Sequence, residues 1–247
     1  MTSIYETLKS ALAAEQPVAI ATVVGGSPAV GAKMLIREDG STLESLGPDV
    51  PQADLVRDAL AMLASAQSGI RSYPGPAGDL QVFVETYPAP PTMFIVGAVH
   101  IAIALVSFAK TLGFRTVVVD ARGAFATPER FAHADELIIA WPDEVLADRL
   151  NGSSYVVLLT HDPKLDDPAL KVALPSPARY IGALGSPKTH ARRLARLRED
   201  GVPEEQIAHI HGPIGLPIGA RTPEEIAVSI IAEIIAVRHG QREQATR

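Results

Sequence analysis

The chain has 247 residues, 47% of them apolar and 20% charged, the balance of an ordinary globular protein with room for one large domain or two modest ones. A net charge of −6 argues against nucleic acid as a partner, because domains that grip a phosphate backbone carry a basic excess. There is no cysteine, which excludes disulfides, thiolate nucleophiles, Cys-ligated zinc and iron–sulfur clusters together.

At the N-terminus, Glu6, Lys9 and Glu15 interrupt the apolar pattern. No apolar run elsewhere reaches the ~20 residues of a membrane span, so a cytoplasmic protein with no membrane contact is expected. Ile4, Leu8 and Leu12 mark an amphipathic helix, followed by the strands "PVAIATVV" and "AKMLIRED", a turn at Asp39-Gly40, and the strand "STLESLG". A second helix, "ADLVRDALAMLASA", precedes the strand "LQVFVE". Residues 1–86 therefore read as a small α+β domain. Residues 87–91, "YPAPP", hold three prolines in four positions, which denies them a helix or a central strand and marks a linker.

From residue 92 the pattern becomes regular: strand "TMFIVG", a helix from about Val99 to Leu112, strands "RTVVVD" and "ELIIA", a helix around Glu144 to Leu150, strand "YVVLLT", a helix near Leu165 to Val172, strand "RYIGAL", and a helix over Pro187 to Glu199. Continuous apolar strands alternating with helices predict a parallel sheet covered on both faces, a Rossmann-like α/β domain over 92–240. Its closing helix is signalled by Thr222 as N-cap, Pro223 at the first helical position and Glu225 completing a capping box. Ile226, Ile230, Ile234 and Val237 then run along one face. A polar tail occupies 241–247.

The first turn of this domain, "FIVGAVHIAIAL", nearly spells a dinucleotide fingerprint. Gly97 stands at the first glycine and Ala102 suits the third, but Val99 holds the middle position, where backbone should meet a pyrophosphate. Asp120, 23 residues after Gly97, stands where an acid accepts from ribose hydroxyls. An Asp ending the second strand and a glycine serving the bend alone is the plainer alternative. Val99 should displace a dinucleotide from its standard pose.

Other candidates cluster after later strands. Gly185, Ser186 and Lys188 open a helix whose free N–H groups and positive end suit a phosphate, with Arg192 one turn on, whereas Arg193, Arg196 and Arg198 read as solvated. His161 and Asp162 follow "YVVLLT" and are candidates for acid–base work or cation binding; the alternative is an Asp162-Pro163 turn with His161 capping a helix. Adjacent residues on an extended chain point apart, so the two do not form a direct pair. His209 and His211 alternate in "HIHGPIG", but no third ligand is in sight, so no metal site is assigned. His100 reads as a contact to ligand or to the N-terminal domain, and His190 and His239 as helix-surface residues. The loop "HGPIGLPIGAR", with Gly215, Gly219 and Arg221, favours ligand or interdomain contact over a shape set by turn chemistry alone.

Together, "FIVGAVHIAIAL", "VVVDARGAFATPERF", "YVVLLTHDPKLD", "YIGALGSPKTHARRLARLREDGVP" and "HGPIGLPIGARTPEEIAVSIIAEIIAVRHG" resemble the C-terminal domain of the XdhC/CoxI family. In the N-terminal domain the Ser-Pro and Gly-Ala-Lys-Met elements of "IATVVGGSPAVGAKMLIREDGSTLESLG" resemble the family's opening strands. The family pattern falls on Gly97, His100, Asp120, Arg122, Thr160, His161, Asp162, Gly182, Gly185, Ser186, His211, Pro213, Gly215, Gly219, Arg221, Thr222 and Glu225. The resemblance implies an accessory factor that holds a molybdenum cofactor, or a pterin dinucleotide, and hands it to the apo-enzyme of a molybdenum hydroxylase such as xanthine or carbon monoxide dehydrogenase after a partner has sulfurated it. The cofactor-binding residues it implies are Gly97, His100, Asp120, Arg122, Gly185, Ser186, Lys188, Gly215, Gly219 and Arg221. The departures are Val99 for a glycine, "LGPDVPQADL" and "YPGPAGDLQV" in place of cysteine elements, and Pro217 for an acid, so the chain resembles a divergent member. Two rivals stay open: an NAD(P)-dependent oxidoreductase with His161 or His100 as proton donor, and a ligand-free interaction or regulatory protein. A homodimer is also left open.

Overall fold

The computed structural model describes residues 3–26, 29–48, 50–75 and 78–239, in two compact units, Met1–Ala89 and Pro90–Arg247. The Ser-Pro element at 27–28, Asp49 of "LGPDVPQADL", Pro76 and Ala77 of "YPGPAGDLQV", and the tail at 241–247 lie outside the described residues.

In the first unit, helix α1 (Ile4–Ala13) starts where the Ser3 side chain accepts from the Glu6 N–H. Strands β1 (Val18–Gly25), β2 (Lys33–Arg37) and β3 (Thr42–Leu43), helix α2 (Gln52–Ala64), and strands β4 (Gly69–Tyr73) and β5 (Leu80–Tyr87) follow. The sheet is antiparallel in the order β3-β2-β1-β5-β4. Alternate side chains serve opposite faces. Ala19, Ala21, Met34 and Ile36 pack with Leu55, Ala59 and Met62 of α2, while Val18 and Leu35 pack with Ala11 of α1. The expected strand "STLESLG" contracts to β3, because Glu44 turns to a positive φ of 63° directly after it. Strand β4 carries no apolar alternation, with only Tyr73 buried, as befits an edge.

The second unit runs β6 (Thr92–Val96), α3 (His100–Thr111), β7 (Arg115–Val119), α4 (Pro128–Phe131), β8 (Glu136–Ile138), α5 (Pro142–Leu146), β9 (Ser154–Leu158), α6 (Pro163–Ala173), β10 (Tyr180–Ala183), α7 (Pro187–Glu199), α8 (Glu204–Ile207), β11 (Ile210–His211) and α9 (Pro223–Arg238). Its sheet is parallel throughout, in the order β11-β10-β9-β6-β7-β8. One face packs Met93, Ile95, Tyr155 and Val157 against α3 and α9, and the other packs Phe94, Val96, Val156 and Leu158 against α6 and α7. This is the α/β, Rossmann-like arrangement that uninterrupted apolar strands predict.

Helix α5 lies earlier than the expected Glu144–Leu150, because Pro142 fixes a helical φ at its first position. The capping box of α9 forms as read: the Thr222 side chain accepts from the Glu225 N–H while Glu225 reaches back to the Thr222 N–H. No helix among the described residues is long and apolar enough to cross a membrane.

Candidate functional site

From β6 the sheet grows through β7 and β8 to one side, and from β9 through β10 and β11 to the other. Such a reversal opens a crevice at the carboxyl ends of parallel strands, where α/β proteins bind ligands. Of the residues singled out in the sequence, Gly97 and His100 follow β6, Asp120 and Arg122 follow β7, His161 and Asp162 follow β9, and Gly185, Ser186 and Lys188 follow β10.

The turn after β6 is shaped by one close approach. Gly97 has φ +108°, and a Cβ there would come within 2.6 Å of the Thr160 methyl group at the end of β9. Its N–H donates to the Val119 carbonyl at 2.8 Å, and the Ala98 N–H donates to Asp120 Oδ2 at 2.8 Å. Asp120 is 0% exposed, and its two oxygens also accept from the Arg122 N–H, Nε and Nη2. Burial pushes its carboxyl up, but the Arg122 and Ala98 hydrogen bonds outweigh burial and hold it below its ordinary range. The ribose-acceptor position is thus occupied by the chain's own donors. Arg122 also stacks over Phe125, 4.5 Å from the ring centroid. Val99 is the N-cap of α3 and provides no side-chain cap, and His100 stands exposed at the first helical position.

A buried polar chain links the ends of β9 and β10. The Thr160 hydroxyl donates to Asp166 Oδ1, and Arg193 Nη2 donates to Asp166 Oδ2 at 3.0 Å and to the Leu184 carbonyl at 2.9 Å. Arg193, expected to be solvated, is 1% exposed; α7 packs it against α6, where Asp166 waits as counter-charge. Burial pushes the Asp166 carboxyl up in spite of the Thr160 hydrogen bond and the Arg193 charge. Arg193 Nε and Nη1 are sealed from solvent without a partner. Arg196, half-buried, makes a two-pronged contact with Asp167 at 2.5 and 2.9 Å, and exposed Arg198 pairs with Glu204.

In front of Arg193 lies the start of α7. Gly185 has φ +154°, and a Cβ on it would sit 3.2 Å from the Thr189 side chain and 3.9 Å from Arg193 Nη1. Ser186 caps the helix by accepting from the Thr189 N–H at 3.2 Å. The N–H groups of Gly185 and Ser186 have no acceptor among the described residues, and Lys188 is exposed on the first turn. These are the free amides and positive end that a helix start offers an anion.

His161 is exposed and does not cap the helix after it. Asp162 does so, accepting from the Lys164 N–H at 3.0 Å, because an aspartate before a proline at the first helical position suits an N-cap. His190 is not a helix-surface residue: its ring packs against Gly212, with Nδ1 sealed and unpartnered. Burial and the nearby Arg193 charge hold its pKa below the ordinary value.

The glycine-proline loop after β11 closes over a carboxylate that the sequence reading missed. Glu233 Oε2 accepts from the Tyr180 hydroxyl and from the Gly215 N–H at 2.9 Å, and Oε1 lies 3.3 Å from His211 Nδ1. Its carboxyl sits below its ordinary range, because these donors outweigh burial. A lone charge within "SIIAEIIAV" was the signal that could have found it. Gly215, at φ +94°, rests against Ser229, while Gly219 is open and Arg221 exposed. His211 turns to Glu233, and exposed His209 does not join it; no group of three metal-ligating side chains occurs among the described residues. Beside this cluster lies a cleft of about 910 Å³, bounded by Leu184, the 210–220 segment and one face of α9.

Comparison with known proteins matches residues 93–234 to the XdhC Rossmann domain and residues 11–74 to the XdhC and CoxI family. The chain is 31% identical to the uncharacterised Escherichia coli protein YqeB, over 90% of this chain and 44% of that one. It is 35% identical to a Bacillus subtilis protein described as a probable xanthine dehydrogenase subunit, over 64% and 46%. It is 36% identical to the E. coli molybdenum cofactor insertion chaperone PaoD, over 39% and 30%. The chain thus spans less than half the length of these curated relatives. A Bacillus halodurans crystal structure described as a xanthine dehydrogenase shares the fold at TM-score 0.56 and 24% identity, covering 98% of this chain and 97% of that one. With the matched Rossmann domain spanning more than half of its residues, the chain belongs to the XdhC and CoxI family.

Proposed function

We propose that this chain is an accessory factor in the maturation of a molybdenum hydroxylase, holding the molybdenum cofactor or a related pterin nucleotide by its phosphate at the start of α7. The observation that carries the reading is the pairing of acceptor-free amides at Gly185 and Ser186 with the buried guanidinium of Arg193, two of whose nitrogens lack partners. The residues fit a phosphate: the amides donate, Lys188 brings mobile charge, and only a glycine at 185 keeps the cradle open. Similarity to a protein named as a molybdenum cofactor insertion chaperone supports the same reading. When bound, the molybdenum centre supplies redox chemistry for the client enzyme. The chain's own residues bind and orient, with Arg193 fixed by Asp166 and Leu184 so that its charge stays behind the turn. A molybdenum hydroxylase apo-enzyme and a sulfurating enzyme are the partners this reading requires.

The test is binding of the isolated cofactor by calorimetry, alongside activation of a molybdenum hydroxylase apo-enzyme. Lys188→Glu is expected to weaken binding by about 1 kcal/mol, roughly fivefold, with folding intact. Arg198→Glu, near the far end of the same helix, should leave binding alone. Unchanged affinity in Lys188→Glu would remove the phosphate site.

The oxidoreductase alternative depends on the turn at Gly97, and the capture of the Ala98 N–H by Asp120 counts against it. Val99→Gly should raise NAD(H) affinity if the valine is the remaining obstacle. Micromolar binding by the unaltered chain, unaffected by Val99→Gly, would put the oxidoreductase ahead.

A further inference from the structure

We propose that the cleft beside Glu233 holds an uncharged, planar heterocycle bearing an N–H donor, of the aminopyrimidinone class shared by pterins and guanine. As the ring end of the cofactor it rests on the accessory-factor reading above, though the chemistry of the cleft is argued from its own walls.

At about 910 Å³ the cleft falls within the range of small-molecule sites. Leu184, Ile210, Ile214, Leu216 and Val237 make its walls largely apolar, and no lysine or arginine lines it. Its one charge is Glu233, kept ionised by Tyr180, Gly215 and His211. A carboxylate with no lysine or arginine beside it in the lining repels phosphate and carboxylate groups, so the anionic end of a cofactor has no place here. A neutral ring is favoured by the walls.

The polar groups set what that ring must carry. Glu233 Oε2 already accepts from two donors, leaving an unused acceptor direction on Oε1. His211 turns Nδ1 to Glu233, which leaves Nε2 as its free ring nitrogen. That nitrogen has no partner among the described residues, and it is not among the atoms sealed from solvent. The unused direction on Glu233 Oε1 is an acceptor, and it asks for an N–H donor. Tyr180 packs 4.5 Å from the His211 ring centroid and fixes the imidazole plane. Leu184 joins this cleft to the α7 start: its side chain lines the cleft, its carbonyl takes Arg193, and Gly185 and Ser186 follow it. A ring in the cleft and a phosphate at Ser186 therefore lie on either side of one residue.

The test is a fluorescence titration of the full chain with free pterin, with guanosine and inorganic phosphate as separate arms. The unaltered chain should quench pterin fluorescence saturably. Ala236→Phe, which adds bulk to the cleft wall, should weaken binding at least tenfold, and Glu233→Gln should also weaken it. Arg198→Glu, whose side chain pairs with Glu204 outside the cleft, should titrate within twofold of the unaltered chain, and phosphate should not compete with pterin. Equal binding of guanosine supports the class and extends it to purines. Absence of saturable quenching, or Ala236→Phe behaving like the unaltered chain, overturns the assignment. Should both cleft variants misfold, hydrogen exchange on the unaltered chain decides: pterin must protect residues 211–219, and no protection overturns it. Apo-enzyme activation separates the two proposals. Full activation by Ala236→Phe would sink the cleft and spare the accessory role, whereas pterin binding in the cleft without activation would do the reverse.

Discussion

Arg193 shows how a single side chain can be misread from sequence and then explained by its neighbours. In "HARRLARLRED" it is one arginine among four, and helical spacing alone does not say which faces inward. The deciding residue is Asp166, 27 positions away on α6, which meets Arg193 with both side chains 2% exposed. Such a pair contributes little net stability, yet removing one partner strands the other as a buried charge. Arg193→Met is therefore expected to cost about 3–5 kcal/mol, read by urea denaturation, and Arg193→Met with Asp166→Leu to recover much of that. A cost below about 1 kcal/mol would mean that water reaches Asp166. Glu233 was hidden for the opposite reason, since its apolar surroundings made α9 read as plain core packing, although the lone charge itself was visible. The glycines at 97 and 185, Ser186 and the Thr222–Glu225 cap were legible because each is demanded by local backbone geometry.

The elements most legible in the sequence are those whose burial is complete on both faces. Strands β6, β7, β9 and β10 read as unbroken apolar runs because helices cover each side of their sheet. Those that escaped notice are short or peripheral: β4 and β11 at sheet edges, and the four-residue helices α4 and α8. A two-residue strand such as β11 has too few side chains for any periodicity, and tertiary pairing with β10 defines it. The close packing of β6 against β9 carries a test. Gly97→Ala places a Cβ 2.6 Å from the Thr160 methyl group at a positive φ, and neither strand can retreat without breaking its ladder. It is expected to destabilise the protein by about 1–3 kcal/mol in denaturant melts. A neutral outcome would show that the strand ends can part at this turn.

At the scale of the whole chain, chemistry and folding divide along the same line. The carboxyl-edge residues, the α7 start and the cleft all lie within Pro90–Arg247, which also holds its own two-faced core. The first unit has separate cores on either side of its antiparallel sheet. Each unit buries a hydrophobic interior of its own, and a domain with that property can in principle fold alone. The segment 90–247, produced by itself, is thus expected to unfold in one cooperative transition. It should bind pterin and inorganic phosphate within twofold of the full chain, because every side chain invoked in binding is present. Loss of tenfold or more, equivalent to ~1.4 kcal/mol, would show that the first unit supplies part of the binding energy. If binding is retained but apo-enzyme activation is lost, the first unit serves the partner enzyme rather than the cofactor. That division of labour would account for a chain in which an α+β unit accompanies a Rossmann domain that holds every residue of the proposed binding edge.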